Sequence, residues 1–191
     1  MTIKKVEGII VSEVDYKESS KIINILTKDD GLIGVIARGT KKVKNNFGGM
    51  ITKLTCGIFH LYYKDKGLST LIDVDVIDGF KYIRKDINLI SYACYLLELS
   101  MQVYRHENNN DIYKLLLDSL KKIDEGFDAL VISNILELKL LDYLGNKIAI
   151  FESRYVGLLA EFDLLIASQF IIYQIGKLLD IDVSKPNYTD N

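Results

Sequence analysis

The apolar residues of this chain change their spacing near Gly79, and this change constrains the fold more than any other feature. Before Gly79 they alternate with polar residues, which is the period-two pattern of half-buried strands. From Phe80 onward they recur every three or four positions, as on one face of a helix. The chain has 191 residues, enough for one or two domains. We therefore expect an α+β protein with two domains, residues 1–79 and residues 80–191.

The first domain contains five short runs with strand character, separated by residues that are typical of turns. Asp29-Asp30-Gly31 marks one clear turn, and Lys64-Asp65-Lys66-Gly67 marks another. Five short strands of this kind fit a small closed barrel, of which the OB-fold is a five-stranded example. We predict an N-terminal five-stranded OB-fold β-barrel followed by an α-helical domain. The predicted strands are Lys5–Tyr16, Lys21–Thr27, Leu32–Ala37, Leu54–Tyr63 and Ser69–Ile77.

The last of these runs alternates over most of its length. Leu71, Asp73 and Asp75 are predicted to face one side, and Thr70, Ile72, Val74 and Val76 the other. Asp73, Asp75 and Asp78 form a row of carboxylates that could hold a metal ion. The solvent-exposed face of a strand is the simpler interpretation, so we assign no metal site.

Helical spacing predicts four helices in the second domain. The first has an apolar face that includes Ala93, Leu96 and Val103, and the second follows the capping segment Asn108-Asn109-Asn110-Asp111. The fourth is predicted over Ala160–Leu179. Residues 147–157 are ambiguous and fit a short hairpin.

The third predicted helix begins at Asp128, which can cap its first turn, and ends before Gly145. Its apolar spacing predicts that four residues face inward. They are Val131, Ile135, Leu138 and Leu141.

The chain offers few groups for catalysis. His60 and His106 are the only histidines, neither lies in a hydrolase-like motif, and no phosphate-binding glycine motif is present. Cys56 and Cys94 form no C-x-x-C pair, which argues against a zinc site and against a disulfide framework. We predict no catalytic residues, no metal and no cofactor.

The sequence also argues against membrane insertion and export. The start of the chain has no apolar core of the kind found in signal peptides. The most apolar stretch, residues 164–179, contains polar residues and is shorter than a membrane span. We therefore expect a cytoplasmic protein without a membrane partner.

Charge is distributed unevenly along the chain. The net charge is −2, but residues 1–80 carry 12 basic and 10 acidic side chains, or +2, and residues 81–191 carry 12 and 16, or −4. No Asp or Glu lies between Asp30 and Asp65. That window contains six basic residues, which are Arg38, Lys41, Lys42, Lys44, Lys53 and Lys64.

The densest part of the window, residues 38–49, predicts a basic loop with glycines at both ends. Glycines allow the backbone to approach a phosphate chain, and the cations would release counterions on binding nucleic acid. Aromatic residues nearby are candidates for stacking on unpaired bases. An ordinary solvated loop remains an alternative, and Phe59 and Tyr62 could instead belong to the barrel core. The aromatic candidates are Phe47, Phe59, Tyr62 and Tyr63.

The order and spacing of several motifs resemble the RecO family of bacterial DNA repair and recombination proteins. The resemblance covers most of the chain, in the barrel region and in the helices. The matching features are Gly8, Tyr16-x-Glu18-Ser19, Thr27 with Gly31, Ala37-Arg38-Gly39, the Lys41–Lys44 run, Phe47-Gly48, Leu61-Tyr62, Tyr92–Leu99 and Leu136–Gly145.

The resemblance implies a recombination mediator of the RecF pathway rather than an enzyme. Proteins similar to this one bind single- and double-stranded DNA through the barrel and anneal complementary strands. With the partner RecR they help to load RecA onto DNA coated by single-strand-binding protein, which implies an association with the nucleoid. The DNA-contact role carries over to Arg38, Lys41, Lys42 and Lys44, and less directly to Lys21 and Lys53.

The resemblance also implies a site in the helical domain for the acidic, apolar tail of the single-strand-binding protein. Lys121, Lys122 and Lys139 are candidates for its rim, although solvated helix faces are the simpler interpretation.

The chain departs from the family pattern near residues 146–160. Many RecO proteins carry two C-x-x-C pairs there, whereas this sequence has none and reads Gly157-Leu158-Leu159-Ala160-Glu161 where the second pair is expected. We therefore expect a degenerate zinc-finger region without zinc. The chain is also shorter at its C-terminal end than RecO proteins usually are.

Two other functions remain open at this stage. The acidic helical half suits a protein-interaction scaffold in repair complexes, for which DNA contact would be incidental. An OB barrel can also bind single-stranded RNA.

Overall fold

The computed structural model describes residues 2–40, 49–107 and 110–143. The predicted hairpin at 147–157, the fourth helix and the degenerate zinc-finger region lie outside them. The described part contains five strands followed by helices, which confirms the predicted α+β class. The elements are β1 (Thr2–Tyr16), β2 (Ser20–Thr27), β3 (Leu32–Arg38), β4 (Cys56–Tyr63), β5 (Ser69–Asp78), a 3-10 turn (Ile83–Lys85), α1 (Ile87–Glu107), α2 (Asp111–Asp124) and α3 (Ala129–Tyr143).

The strands form a closed barrel in the order β1-β2-β3-β5-β4, with β4 pairing back onto β1. Four junctions are antiparallel, and the β3–β5 junction is parallel. This arrangement confirms the predicted five-stranded OB-fold.

β1 is long enough to pair with β4 along its first half and with β2 along its second half. Gly8 pairs with both Thr27 and Gly57 at the crossing, so the three backbones come close together. A Cβ at Gly8 would lie 2.6 Å from Ile25 Cγ2 and 2.8 Å from the Leu26 carbonyl oxygen. A side chain therefore has no room at this position.

Inward-facing side chains from all five strands fill the barrel, and Ile51 adds to them from the segment before β4. Met50 and Tyr63 pack against this core while remaining partly exposed. The core residues are Val6, Ile10, Ile23, Ile25, Ile33, Val35, Ala37, Ile51, Phe59, Leu61, Leu71 and Val74.

A bulge in β5 contradicts the predicted alternation of that strand. His60 pairs with Asp73 but Leu61 pairs with Leu71, so Ile72 is an extra residue in the ladder. Leu71 is therefore buried with Val74, while Asp73 and Asp75 are exposed. The expectation that Leu71 shares a face with Asp73 and Asp75 was wrong because one inserted residue reverses the facing of those that follow.

Helices α1 and α2 form one compact unit with the barrel, residues 1–127, and residues 128–191 form a second. The predicted apolar face of α1 is confirmed, since Ala93, Leu96 and Val103 are fully buried. In α2 the Tyr113 hydroxyl donates a hydrogen bond to Glu7 Oε1 of β1, at 3.0 Å. Burial raises the pKa of the Tyr113 hydroxyl and that of the nearby Cys56 thiol, the latter to about 11. Both groups are therefore neutral at physiological pH.

The start of α3 agrees with the sequence, but its buried face does not. The backbone N–H of Val131 donates to Asp128 Oδ1 at 2.9 Å, which confirms the predicted cap. Val131 and Ile135 are 39% and 43% exposed, so their predicted inward orientation was wrong. Leu136 and Leu140 are fully buried instead. Apolar residues lie on all sides of this helix, so their spacing does not identify the buried side.

Candidate nucleic-acid interface

The exposed end of β3 places Arg38 at one edge of the barrel. Arg38 pairs with Ser20, the first residue of β2, and Ser20 pairs with Tyr16, the last residue of β1. Directly opposed residues of neighbouring strands point to the same face of a sheet, so these three form one outward row. We call this row the rim. Tyr16 is 37% exposed, Arg38 is exposed, and the small Ser20 between them is 8% exposed.

A second outward row lies beside the rim. Val14 pairs with Ile22, and Ile22 pairs with Ile36, which places three apolar side chains next to one another. Val14 is 65% exposed, and the two isoleucines are partly exposed. Apolar side chains on the solvent side of a barrel are available for contact with a ligand.

The β1–β2 turn adds a cation to the rim. Lys17 occupies the left-handed region with φ +54°, and its ammonium lies 5.3 Å from the centroid of the Tyr16 ring. The Tyr16 ring therefore has the Lys17 ammonium close to it, and Arg38 lies two strands away in the same row.

Lys21 makes internal contacts instead of extending from the rim. Its ammonium donates to Glu13 Oε2 at 2.7 Å and to the Ile51 carbonyl oxygen at 3.2 Å. Ile51 is 3% exposed and belongs to the barrel core. Lys21 therefore holds residues 49–55, the returning chain that leads into β4. The DNA-contact role of Lys21 stays a prediction.

Arg84 fixes the same returning chain from a second direction. Its guanidinium donates to the Lys53 carbonyl oxygen at 2.8 Å and to the Gly79 carbonyl oxygen at 2.6 Å. Lys53 is half-buried. The sequence pattern does not single out Arg84, because its function depends on a contact 31 positions away that no spacing reveals.

The other predicted contacts are distributed differently. Lys41, Lys42, Lys44 and Phe47 lie outside the described residues. Phe59 is fully buried in the barrel, so of the two interpretations of this residue the core one is correct.

Tyr62 is 43% exposed on β4, while Tyr63 is half-buried with the Lys4 ammonium 4.8 Å from its ring centroid. Tyr16 was not among the predicted stacking residues. The alternation of side chains along β1 would nevertheless have placed it on the same face as Val14, two positions earlier.

Asp73 and Asp75 lie on the exposed face of β5, as the simpler interpretation predicted, whereas Asp78 is partly buried and accepts a hydrogen bond from the Phe80 backbone N–H at 2.7 Å. His60 lies 2.8 Å from Asp75, measured between Nε2 and Oδ2. Within residues 2–40, 49–107 and 110–143, no three His, Cys, Asp or Glu side chains are grouped to hold a metal. In the same residues, no helix is long and apolar enough to cross a membrane.

The lysines predicted to contact a partner are exposed. Lys122, near the C-terminal end of α2, pairs with Glu125 at 2.9 Å, and its ammonium lies 4.6 Å from the centroid of the Phe127 ring. Lys121 precedes it, and Lys139 lies separately on α3. Val131 and Ile135 precede Lys139 at four-residue spacing on the same exposed side of α3.

The fold and the rim define a class of protein: an OB-fold barrel with a helical extension, whose rim presents cationic and aromatic side chains, a combination that OB-folds use to bind nucleic acid. The family model described as "Recombination protein O N terminal" matches residues 1–80, and the one described as "Recombination protein O C terminal" matches residues 84–152.

Curated relatives agree with these matches. A DNA repair protein RecO from Listeria innocua is 32% identical over 95% of this chain and 82% of its own length. A second, from Exiguobacterium sibiricum, is 40% identical over 75% of this chain. The chain belongs to the RecO family. It spans 57% of the length of the Exiguobacterium protein and 56% of that of a DNA repair protein RecO from Listeria welshimeri.

Proposed function

We propose that this chain acts in DNA repair as a non-enzymatic recombination mediator that binds single- and double-stranded DNA and anneals complementary strands. The observation that carries the proposal is the position of Arg38. It ends β3 on the exposed rim and is the first basic residue of the window without acidic residues between Asp30 and Asp65. Family membership makes DNA the favoured ligand of this edge.

The proposed mechanism is electrostatic. Two DNA strands repel each other through their phosphates, and cations that neutralise both backbones lower that repulsion. Base pairing then completes the annealing without a chemical step. Arg38, Lys41, Lys42 and Lys44 are the proposed phosphate contacts, with secondary contributions from Lys53 and Lys21.

A second part of the proposal concerns protein partners. With RecR, the chain would help to load RecA on DNA that is coated with single-strand-binding protein. The exposed side of α3 supports a site for the tail of that protein, because Val131 and Ile135 offer apolar contacts and Lys139 a positive charge beside them. Lys121 and Lys122, on α2, stay separate candidates for contact with a protein partner.

The decisive variant changes Lys41, Lys42 and Lys44 to Glu. We expect weaker DNA binding in gel-shift titrations, slower annealing, and a plot of log affinity against log salt that is shallower by about one for each lost phosphate contact. A control with the same charge change at Lys28, Lys81 and Lys114 should bind DNA nearly as the unaltered protein does. Unchanged affinity and slope in the first variant would contradict the assignment of the basic window.

The two other functions give different results in the same assays. A scaffold would bind RecR and the single-strand-binding protein tail but show no measurable DNA affinity at physiological salt. An RNA-binding module would prefer RNA in competition between DNA and RNA oligomers of the same sequence.

A further inference from the structure

We propose that the rim and the apolar row beside it form a stacking platform for unpaired bases, with Tyr16 as the residue on which a base stacks. The platform consists of Tyr16, Ser20, Arg38, Val14, Ile22 and Ile36. This inference rests on the proposed DNA-binding function and makes it more specific: single strands and duplexes would be distinguished at Tyr16.

The register of the three strands places these side chains together. Neighbouring strands are about 4.8 Å apart, so two steps along the row separate the Tyr16 and Arg38 backbones by about 10 Å. Both side chains are long enough to cover the small Ser20 between them. An aromatic surface and a guanidinium are thus presented side by side, which suits one base and a neighbouring phosphate.

Charge favours nucleic acid as the occupant of the platform. None of its six residues is acidic, and Arg38 contributes a positive charge on one side while Lys17 contributes another at the turn. Glu13 and Asp15 alternate with Val14 and Tyr16, so they point to the opposite face of β1. A base that stacks on Tyr16 would replace the Lys17 ammonium over the ring, and that ammonium could then pair with a phosphate.

The platform favours single strands because their bases are free to leave the stack. Bases inside a duplex already stack on one another, so a duplex can meet this face only through its phosphates. Tyr16 should therefore contribute to the binding of single strands only. The cations should contribute to the binding of single strands and of duplexes.

The absence of tryptophan from this sequence allows a direct test. In a Tyr16→Trp variant the indole is the only tryptophan, and a stacked base should quench its fluorescence. We expect quenching on titration with a single-stranded oligomer and little change with a blunt duplex of the same length. Tyr82→Trp is the matched control because Tyr82 is 49% exposed but follows β5, outside the platform and outside the predicted stacking residues. Equal quenching at both positions, or none at Tyr16→Trp with bound single strand, would overturn the proposal.

Affinity provides the second measurement. Tyr16→Ala should weaken single-strand binding about 5- to 100-fold, which is the usual range for losing one stacked base, and leave duplex binding nearly unchanged. Tyr16→Phe should retain the affinity of the unaltered protein, because stacking needs the ring and not the hydroxyl. Equal losses for both ligands, or no loss for either, would refute the stacking role.

The same titrations separate this inference from the proposed function. If the unaltered protein binds DNA and the lysine variant is weakened, but Tyr16→Ala is not, only the platform is wrong. If the unaltered protein binds neither ligand, the proposed function is wrong and the platform with it. Thermal melting of Tyr16→Ala verifies that the variant is folded.

Discussion

Lys21 illustrates why a count of basic residues does not give the number of cations available to a ligand. Its ammonium contacts Glu13 and the Ile51 carbonyl oxygen, and about a fifth of its side chain is exposed. These contacts link β2 to β1 and to the segment before β4. Lys21 can therefore affect DNA binding by fixing the position of Ile51 instead of contacting a phosphate.

Replacing Glu13 by Gln tests this indirect role. The change removes a negative charge close to the rim, so simple electrostatics expects tighter DNA binding. If the pair holds the returning chain in place, affinity should instead fall by about two- to fivefold, in line with the small free energies of such pairs. Gel-shift titration at several salt concentrations measures both affinity and slope, and the slope should not change.

Glu18→Gln is the matched control, since Glu18 is exposed in the neighbouring turn and the charge change is the same. It should bind DNA as well as the unaltered protein or slightly better. If Glu13→Gln behaves in the same way, Lys21 does not act through its partner.

Phe59 marks the limit of sequence reasoning at the residue scale. Alternation places Phe59 and Tyr62 on opposite faces of β4, but it does not say which face is inside. Closure of the barrel decides this, because β4 pairs with both β1 and β5 and one of its faces is then enclosed. The outward orientation of Tyr16 was predictable from the alternation along β1. The position of Arg38 in the same row was not, because it depends on how β1, β2 and β3 pair.

At the element scale, the type and order of the elements could be predicted, and their irregularities could not. The five strands and three helices lie close to their predicted positions. Bulges at Val11 and Ile72 depend on how neighbouring strands pair, which is absent from the local pattern. The buried side of α3 was also not predictable, because its apolar residues surround the helix axis.

The turn between β2 and β3 provides a test of contact between elements. Gly31 has φ +70°, and a Cβ there would lie 1.8 Å from the Tyr104 hydroxyl oxygen of α1. Gly31→Ala must therefore adopt an unfavourable backbone conformation and also displace a helix side chain. We expect the free energy of unfolding to fall by about 2–4 kcal/mol in urea titrations.

Gly67→Ala separates the two causes. Gly67 has φ +86°, but a Cβ added there would meet no atom of the described residues within 4 Å beyond its chain neighbours. Only the backbone cost of about 1 kcal/mol should therefore appear. Equal losses in the two variants would show that α1 does not press on the turn.

At the scale of the whole molecule, the compact unit does not end where the pattern of apolar residues changes. That pattern changes at Gly79, whereas the first compact unit continues to Phe127 and includes α1 and α2. Ile9 and Leu26 lie directly opposite each other on β1 and β2. Both are fully buried, although neither belongs to the barrel core. Covering them requires elements beyond the five strands. The domain boundary at residue 79 stays a prediction.

Two fragments test the boundary. Residues 1–127 should unfold in one cooperative transition and retain the DNA binding of the barrel. Residues 1–79 should melt at a lower temperature and bind an apolar dye, because Ile9 and Leu26 would lose their cover. Circular dichroism, dye fluorescence and gel shifts measure these properties. Equally stable fragments would show that the barrel folds without the helices.

The β3–β5 junction has a consequence for the solution behaviour of the whole chain. Only Val35↔Ser69 and Ile36↔Thr70 pair there, whereas the antiparallel junctions pair along most of their strands. Opening this junction would leave a five-stranded sheet with β3 and β5 as free edges, and free edges are sites at which sheets of different molecules join. Protection against aggregation therefore depends on the shortest ladder in the barrel.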